Sequence, residues 1–228
     1  MILRKSGGGD SMEKKASKEK VIEAAIELFN VKGFTGASVR DIATKAEANV
    51  ALISYYFGSK QGLLEHLMTK FLEGYVSAIE KQALRVEENN ELVFDSLLKA
   101  IWDVMLYQQK HHGLARFVHR EITLDTTLVR ELMSSYLTKE KHLYHTLLKI
   151  AYERGEMDTK PNEYFVLQLR GMLTMPFLHP QYIREVYHLM PHENHFLDQY
   201  FSELCEWVSI HFKDTVTAST RPEEAVKR

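Results

Sequence analysis

Residues 38–60 read SVRDIATKAEANVALISYYFGSK. Ser38 stands directly before an apolar-periodic run, with Asp41 three residues on. A hydroxyl at that place accepts from an exposed backbone N–H, and a carboxylate in the first turn suits the helix dipole. Val39, Ile42, Ala43 and Ala46 then repeat at helical spacing. Ala46, Glu47 and Ala48 make a turn, and Asn49 caps a second short helix with Val50, Ile53 and Phe57 on one stripe. Ser54, Tyr55 and Tyr56 mostly face elsewhere. Two short helices with so brief a connection suit a helix-turn-helix, whose second helix enters the DNA major groove. The same pattern also suits a small helical pair that binds no DNA. The pattern alone leaves the two readings level.

The stretch resembles the DNA-binding domain of the TetR family of bacterial regulators. The resemblance rests on Ala24, Ala25, Leu28, Phe29, Gly33, Phe34, Ser38, Val39, Ile42, Ala43, Ala46, Ile53, Tyr55, Phe57, Lys60 and Leu63. It implies a homodimer that lays one such helix from each protomer on double-stranded DNA at a roughly palindromic site. Arg40, Asn49 and Val50 are then the candidates for base edges, and Ser38, Tyr55, Tyr56 and Lys60 for phosphates, with Ser54 on the same helix. Three residues depart from the family pattern. Glu47 stands where glycine is usual, Asn49 where serine is common, and Tyr56 where histidine is usual. Ala51 and Leu52 make the reading helix apolar, which favours contact with thymine methyl groups.

The 228 residues are 45% hydrophobic and 26% charged, the balance of a globular protein. Strand-like alternation is absent, so the fold class is all-α. No apolar run approaches the roughly 18 residues of a membrane span, and the single cysteine forms no internal disulfide. These features fit a cytoplasmic protein, and the resemblance implies that it is nucleoid-associated. Residues 1–60 hold ten Lys/Arg against seven Asp/Glu, and the remainder 19 against 24. A mildly basic end thus sits on an acidic body.

The chain divides into a disordered tail (1–15), the DNA-binding domain (16–62), a helical regulatory and dimerisation domain (63–212) and a flexible tail (213–228). Ser17 caps the first helix, and Gly33 ends it in a conformation open to glycine. Ser59 caps a long helix that reaches about residue 87 and ties the reading unit to the body. Helices over about 91–110, 126–155, 161–177, 181–189 and 193–212 follow, with a short charged segment after Gly113.

The last helix is apolar on more than one face. With the resemblance, this assigns Phe165, Leu169, Phe196, Tyr200, Leu204 and Trp207 to a dimer interface. Trp102, Met105, Tyr107, Phe117, Tyr136, Met172, Met175 and Phe177 either line an effector pocket or fill a core, the core reading being slightly favoured. Arg116, Arg120 and Glu121 form a charged face that is either solvated or docks an acidic protein or an anion. The histidines lack metal-ligand spacing, and no nucleophile elbow or phosphate-binding glycine loop occurs. Neither a metal, nor a cofactor, nor an enzyme is expected. Within the family, residues 49–75 resemble the RefZ-like branch, which implies an alternative. In it the DNA-bound protein acts on the division protein FtsZ without a small-molecule inducer. A helical interaction module without DNA binding is the weaker alternative.

Overall fold

The computed structural model describes residues 9–124 and 126–217. Among these residues every regular element is a helix. Three short-range units form the head: α1 (Gly9–Gly36), α2 (Val39–Lys45) and α3 (Val50–Phe57). The body comprises α4 (Lys60–Asn89), α5 (Val93–Lys110), α6 (His112–Ile122), α7 (Thr127–Glu153), α8 (Glu163–Leu178), α9 (Pro180–Tyr187), α10 (Asn194–Ser209) and α11 (Asp214–Thr217).

Local chemistry sets most boundaries. Ser38, Asn49, Ser59, Thr126 and Asn162 each accept a backbone N–H at a helix start. Gly33 interrupts α1 at φ 76°, a region costly for any residue with a Cβ. Three expectations are corrected. Helix α1 begins at Gly9, so Ser17 lies within it and residues 9–15 are helical. Residues 1–8 of the expected first tail and 218–228 of the expected last one lie outside the described residues. Asn162, rather than the turn at Pro161, caps α8. Residues 214–217, expected to be loose, form α11.

The head packs on Val21, Ala25, Phe29, Ile42, Ile53, Leu63 and Leu67, all fully buried. Each large apolar side chain so buried contributes roughly 1.5–3 kcal/mol. Phe29 stacks on Phe117 of α6 with centroids 5.1 Å apart, so the head core runs into the body core. Helix α4 carries buried residues from Leu63 to Val86 and packs chiefly on α5 and α7. Gly74 permits the close approach to α5, because a Cβ there would lie 2.3 Å from the Tyr107 hydroxyl.

Two polar networks cross the body core. The Tyr75 hydroxyl donates to the Glu140 carboxylate at 3.0 Å, and Arg170 pairs with that same carboxylate. Burial nevertheless holds the Glu140 pKa above its ordinary value, against the pull of Arg170. His119 lies 2.6 Å from the Gln108 carbonyl oxygen, and the Gln108 amide donates to the Leu173 carbonyl at 3.0 Å. The Gln108 oxygen therefore accepts, and the His119 Nε2 carries the proton. Burial, helped by the charge on Arg170, pushes His119 down to about 3, so the ring is neutral. At the far end, Glu156 accepts from the Val93 and Phe94 N–H groups and caps α5, which has no cap of its own.

Candidate nucleic-acid interface

Ser38 and Asp41 form a complete capping box. The Asp41 N–H donates to the Ser38 hydroxyl at 3.1 Å, and the Ser38 N–H donates to the Asp41 carboxylate at 2.9 Å. The Ser38 hydroxyl also donates to that carboxylate at 2.8 Å. These bonds, with the Lys32 charge, hold the Asp41 pKa below its ordinary value. The expected phosphate contact from Ser38 thus competes with a hydroxyl already in use.

The turn after α2 closes with two backbone bonds. The Ala48 N–H donates to the Ala43 carbonyl at 2.9 Å, and the Glu47 N–H to that of Thr44 at 3.2 Å. This pair is a Schellman motif, and it places Glu47 at the left-handed position, φ 51°. Asn49 then caps α3 by accepting from the Ala51 N–H at 2.9 Å.

Ile53 is fully buried and anchors α3, while Leu52, Tyr56 and Phe57 are half-buried. The outer face carries Asn49, Val50, Ala51, Ser54 and Tyr55, all exposed, with Tyr55 at 71%. Arg40, Thr44 and Lys45 of α2 are exposed as well. The Tyr55 and Tyr56 rings meet edge-on at 5.1 Å, which limits the rotamers of the exposed tyrosine. The periodicity missed Thr44, which is exposed, and Lys45, which pairs with Glu27 of α1 at 2.5 Å.

Lys60 has a structural task. Its ammonium donates to the Phe34 and Ala37 carbonyls, each at 2.9 Å, and lies 4.5 Å from the Phe34 ring centre. The start of α4 is thereby fastened to the α1–α2 link. One of its three N–H bonds is left for a phosphate.

Further expected groupings come apart. Glu121 is buried, and burial raises its pKa against the pull of Arg120. Arg120 donates to the carbonyls of Phe29 and Asn30 at 2.6 and 3.3 Å, and the Asn30 amide donates to the Gly113 carbonyl at 2.8 Å. Of the expected charged face only Arg116 stands without a partner among the described residues. In the expected dimer set, Phe165, Leu169 and Leu204 are buried within their own protomer. Phe196, Tyr200 and Trp207 are half-buried on the outer side of α10. Exposed apolar residues on the same stretches are Tyr164 and Leu167 of α8, which line a groove against α7, and Ile210 just after α10; the periodicity did not separate them from the core stripe. Apart from Met175, the expected pocket residues lie in the hydrophobic core or pack against it. Met105 and Phe117 are core, Trp102 packs edge-on to Phe201, and the Tyr136 hydroxyl donates to Glu73 at 3.3 Å. Met172 lines an open groove between α8 and α10 with Gly171, Tyr200 and Trp207.

Residues 21–67 match the family model of bacterial regulatory proteins of the tetR family. The chain is 44% identical over 207 residues to a probable HTH-type transcriptional regulator, YttP, of Bacillus subtilis, covering 91% of this chain and 99% of that one. It is 27% identical over 184 residues to the HTH-type transcriptional regulator BetI of Cronobacter sakazakii, with 72% and 90% covered. Among solved structures, a tetR-family regulatory protein from Rhodococcus RHA1 superposes with a TM-score of 0.69 at 14% identity, over 88% of this chain and 99% of that one. A putative fatty acid metabolism regulator from Clostridium perfringens gives 0.66 at 19%, over 82% and 94%. These two likenesses concern the fold. Among the described residues no helix is long and apolar enough to cross a membrane. The outward face of α3, its capped start and the near full-length match to a regulator agree: the chain belongs to the TetR family of bacterial transcriptional regulators and is not an enzyme.

Proposed function

We propose that the protein is a homodimeric repressor that binds palindromic DNA, working in the cytoplasm at the nucleoid. The observation that carries this reading is the outer face of α3, where Asn49, Val50, Ala51, Ser54 and Tyr55 are all exposed around the buried anchor Ile53. An apolar, small-residue surface suits thymine methyl groups, with Asn49 and Arg40 supplying donors at its edge. Tyr55, Tyr56 and the free N–H of Lys60 serve the backbone. The two heads address half-sites one helical turn apart, or a multiple of it.

The dimer face is the outer side of α8 and α10. Tyr164, Leu167 and Ile210 are 66–78% exposed on these stretches, which also carry the half-buried Met172, Tyr200 and Trp207. Gly171 has nothing within 4 Å of where a Cβ would stand, so a partner helix can come close. Of the residues of this face, only Tyr200 and Trp207 belong to the set expected from periodicity, but the helices are the same. The alternative of action through FtsZ would rely on Arg116 alone of its three assigned residues, since Arg120 and Glu121 serve the body.

Genome-wide mapping of bound sites, followed by gel shifts on cognate and scrambled duplexes, tests the reading. Tyr55→Ala should weaken binding to every duplex, and Arg40→Ala should also relax sequence preference. Unchanged affinity in both variants would reject the assignment.

A further inference from the structure

The body holds a cavity of about 190 Å³ where α6, the end of α8, α9 and the segment before α10 meet. Arg116 and His112 reach it from α6, Arg184 from α9, and His192 from the segment before α10. Its remaining wall is largely Phe177 and prolines. The cavity is separate from the outer face of α3 and shares only Phe177 with the residues expected to line an effector pocket.

Four observations define its chemistry. First, the lining contains no carboxylate. Second, Arg116 has no hydrogen-bond or ion-pair partner among the described residues, although it is only half-exposed. Burial and the charges of Arg120 and Arg184 lower its pKa from the ordinary value, as expected of a guanidinium that faces other cations. Third, Glu185 accepts from Arg184 Nε at 2.8 Å in an exposed pair, which leaves the terminal guanidinium nitrogens. Fourth, the His112 and His192 rings lie 5.8 Å apart, and each imidazole can offer an N–H donor. Prolines confine the wall, so little ordering entropy is left to lose on binding.

We infer that this cavity is a binding site for a small organic anion, a carboxylate or phosphate ester carried on a compact apolar body. The two guanidinium groups take the anionic oxygens in the planar fork that suits them. The Phe177 and proline wall takes the apolar part. An acidic protein segment suits the site less well, because the charges line a concavity and not a protruding face. The site is read on the protein alone, so its failure and that of the DNA assignment are separable.

Thermal unfolding and calorimetric titration of the full chain supply the test, with phenyl phosphate, benzoate and inorganic phosphate as probes at constant ionic strength. Phenyl phosphate or benzoate should raise Tm by about 3–5 °C at roughly tenfold excess over half-saturation. Inorganic phosphate should need about tenfold more for the same effect, since it forgoes the apolar wall. Whichever organic anion acts identifies the head group. Arg116→Gln and Arg184→Gln should each abolish the shift. Arg184 is surface-exposed, so its variant folds. No response to either organic anion overturns the inference, as does an equal response in both variants. Polyglutamate binding that phenyl phosphate cannot displace would make this an acidic-protein surface and overturn it too.

Discussion

Replacing Glu47 tests two consequences of one residue. Its backbone sits at φ 51° in the Schellman turn between α2 and α3. A left-handed conformation costs a residue with a Cβ about 1–2 kcal/mol. Glycine escapes that cost but gives back about 0.4–1 kcal/mol through its freer unfolded chain. Glu47→Gly should therefore stabilise each protomer by about 0.5–1 kcal/mol, a rise in Tm of about 1–3 °C for a chain of this size. The charge is a separate matter. Taking a DNA phosphate at about 8 Å in water, the repulsion is about 0.5 kcal/mol per protomer, or about fivefold in affinity for a dimer. Salt shrinks that gain, so it is read at low ionic strength. Glu47→Gln keeps the backbone cost and loses the charge. It should improve binding while leaving Tm unchanged, whereas Glu47→Gly should improve both. Scanning calorimetry and fluorescence anisotropy on one operator duplex measure the pair. A lower Tm for the glycine variant would refute the strain argument. Unchanged affinity for the glutamine variant would place the turn away from the phosphates.

Three more expectations follow from the body. The His119 ring protonates near 6.5 when unfolded and at about 3 when folded, so its contribution is complete above about pH 6.5 and is lost as the pH falls toward 3. At about 1.4 kcal/mol per unit, His119→Gln should remove about 2 kcal/mol of the loss between pH 7 and 5, measured by urea unfolding. A variant as acid-sensitive as the parent would contradict it. Arg120→Ala should release α1 from α6, at about 2 kcal/mol for the charge-assisted bonds to Phe29 and Asn30, and accelerate amide exchange in α1. Protection confined to its present level would show that Phe29 on Phe117 suffices. Leu167→Glu combined with Ile210→Glu should yield a folded monomer by sedimentation, whereas Leu169→Ala should cost about 2–5 kcal/mol within the protomer. A double variant that still sediments as a dimer would move the interface elsewhere.

What the sequence disclosed depended on the range of each interaction. The caps at Ser38, Asn49 and Ser59 involve partners two or three residues away, so composition at those places was enough. The stripe of α4 was equally plain, because one helix face repeats every turn. Lys60, Arg120 and Glu156 find their partners 23 to 91 residues away, and nothing local marks them. Lys60 therefore looked like a free phosphate ligand, and Arg120 like an open docking residue. The dimer set shows the same limit. Periodicity separates apolar from polar faces on α8 and α10, but it cannot say whether Leu169 or Leu167 turns toward the protomer's own core. Glu47 is a different case. The turn was legible, while its left-handed backbone depends on two bonds that only the folded chain makes.

The 30 residues of α4 run unbroken from the head's core into the body's. At 1.5 Å per residue that is about 45 Å of stiff rod, clamped by Lys60 at one end. Such a rod pivots as a unit and has no joint at which the reading end could swing alone. A tilt of only about 5° would carry its tip about 4 Å, comparable with the 3.4 Å rise of one base-pair step. In the proposed dimer, small rearrangements among the body helices would therefore reach the duplex enlarged, as whole-step errors in where the two reading ends land.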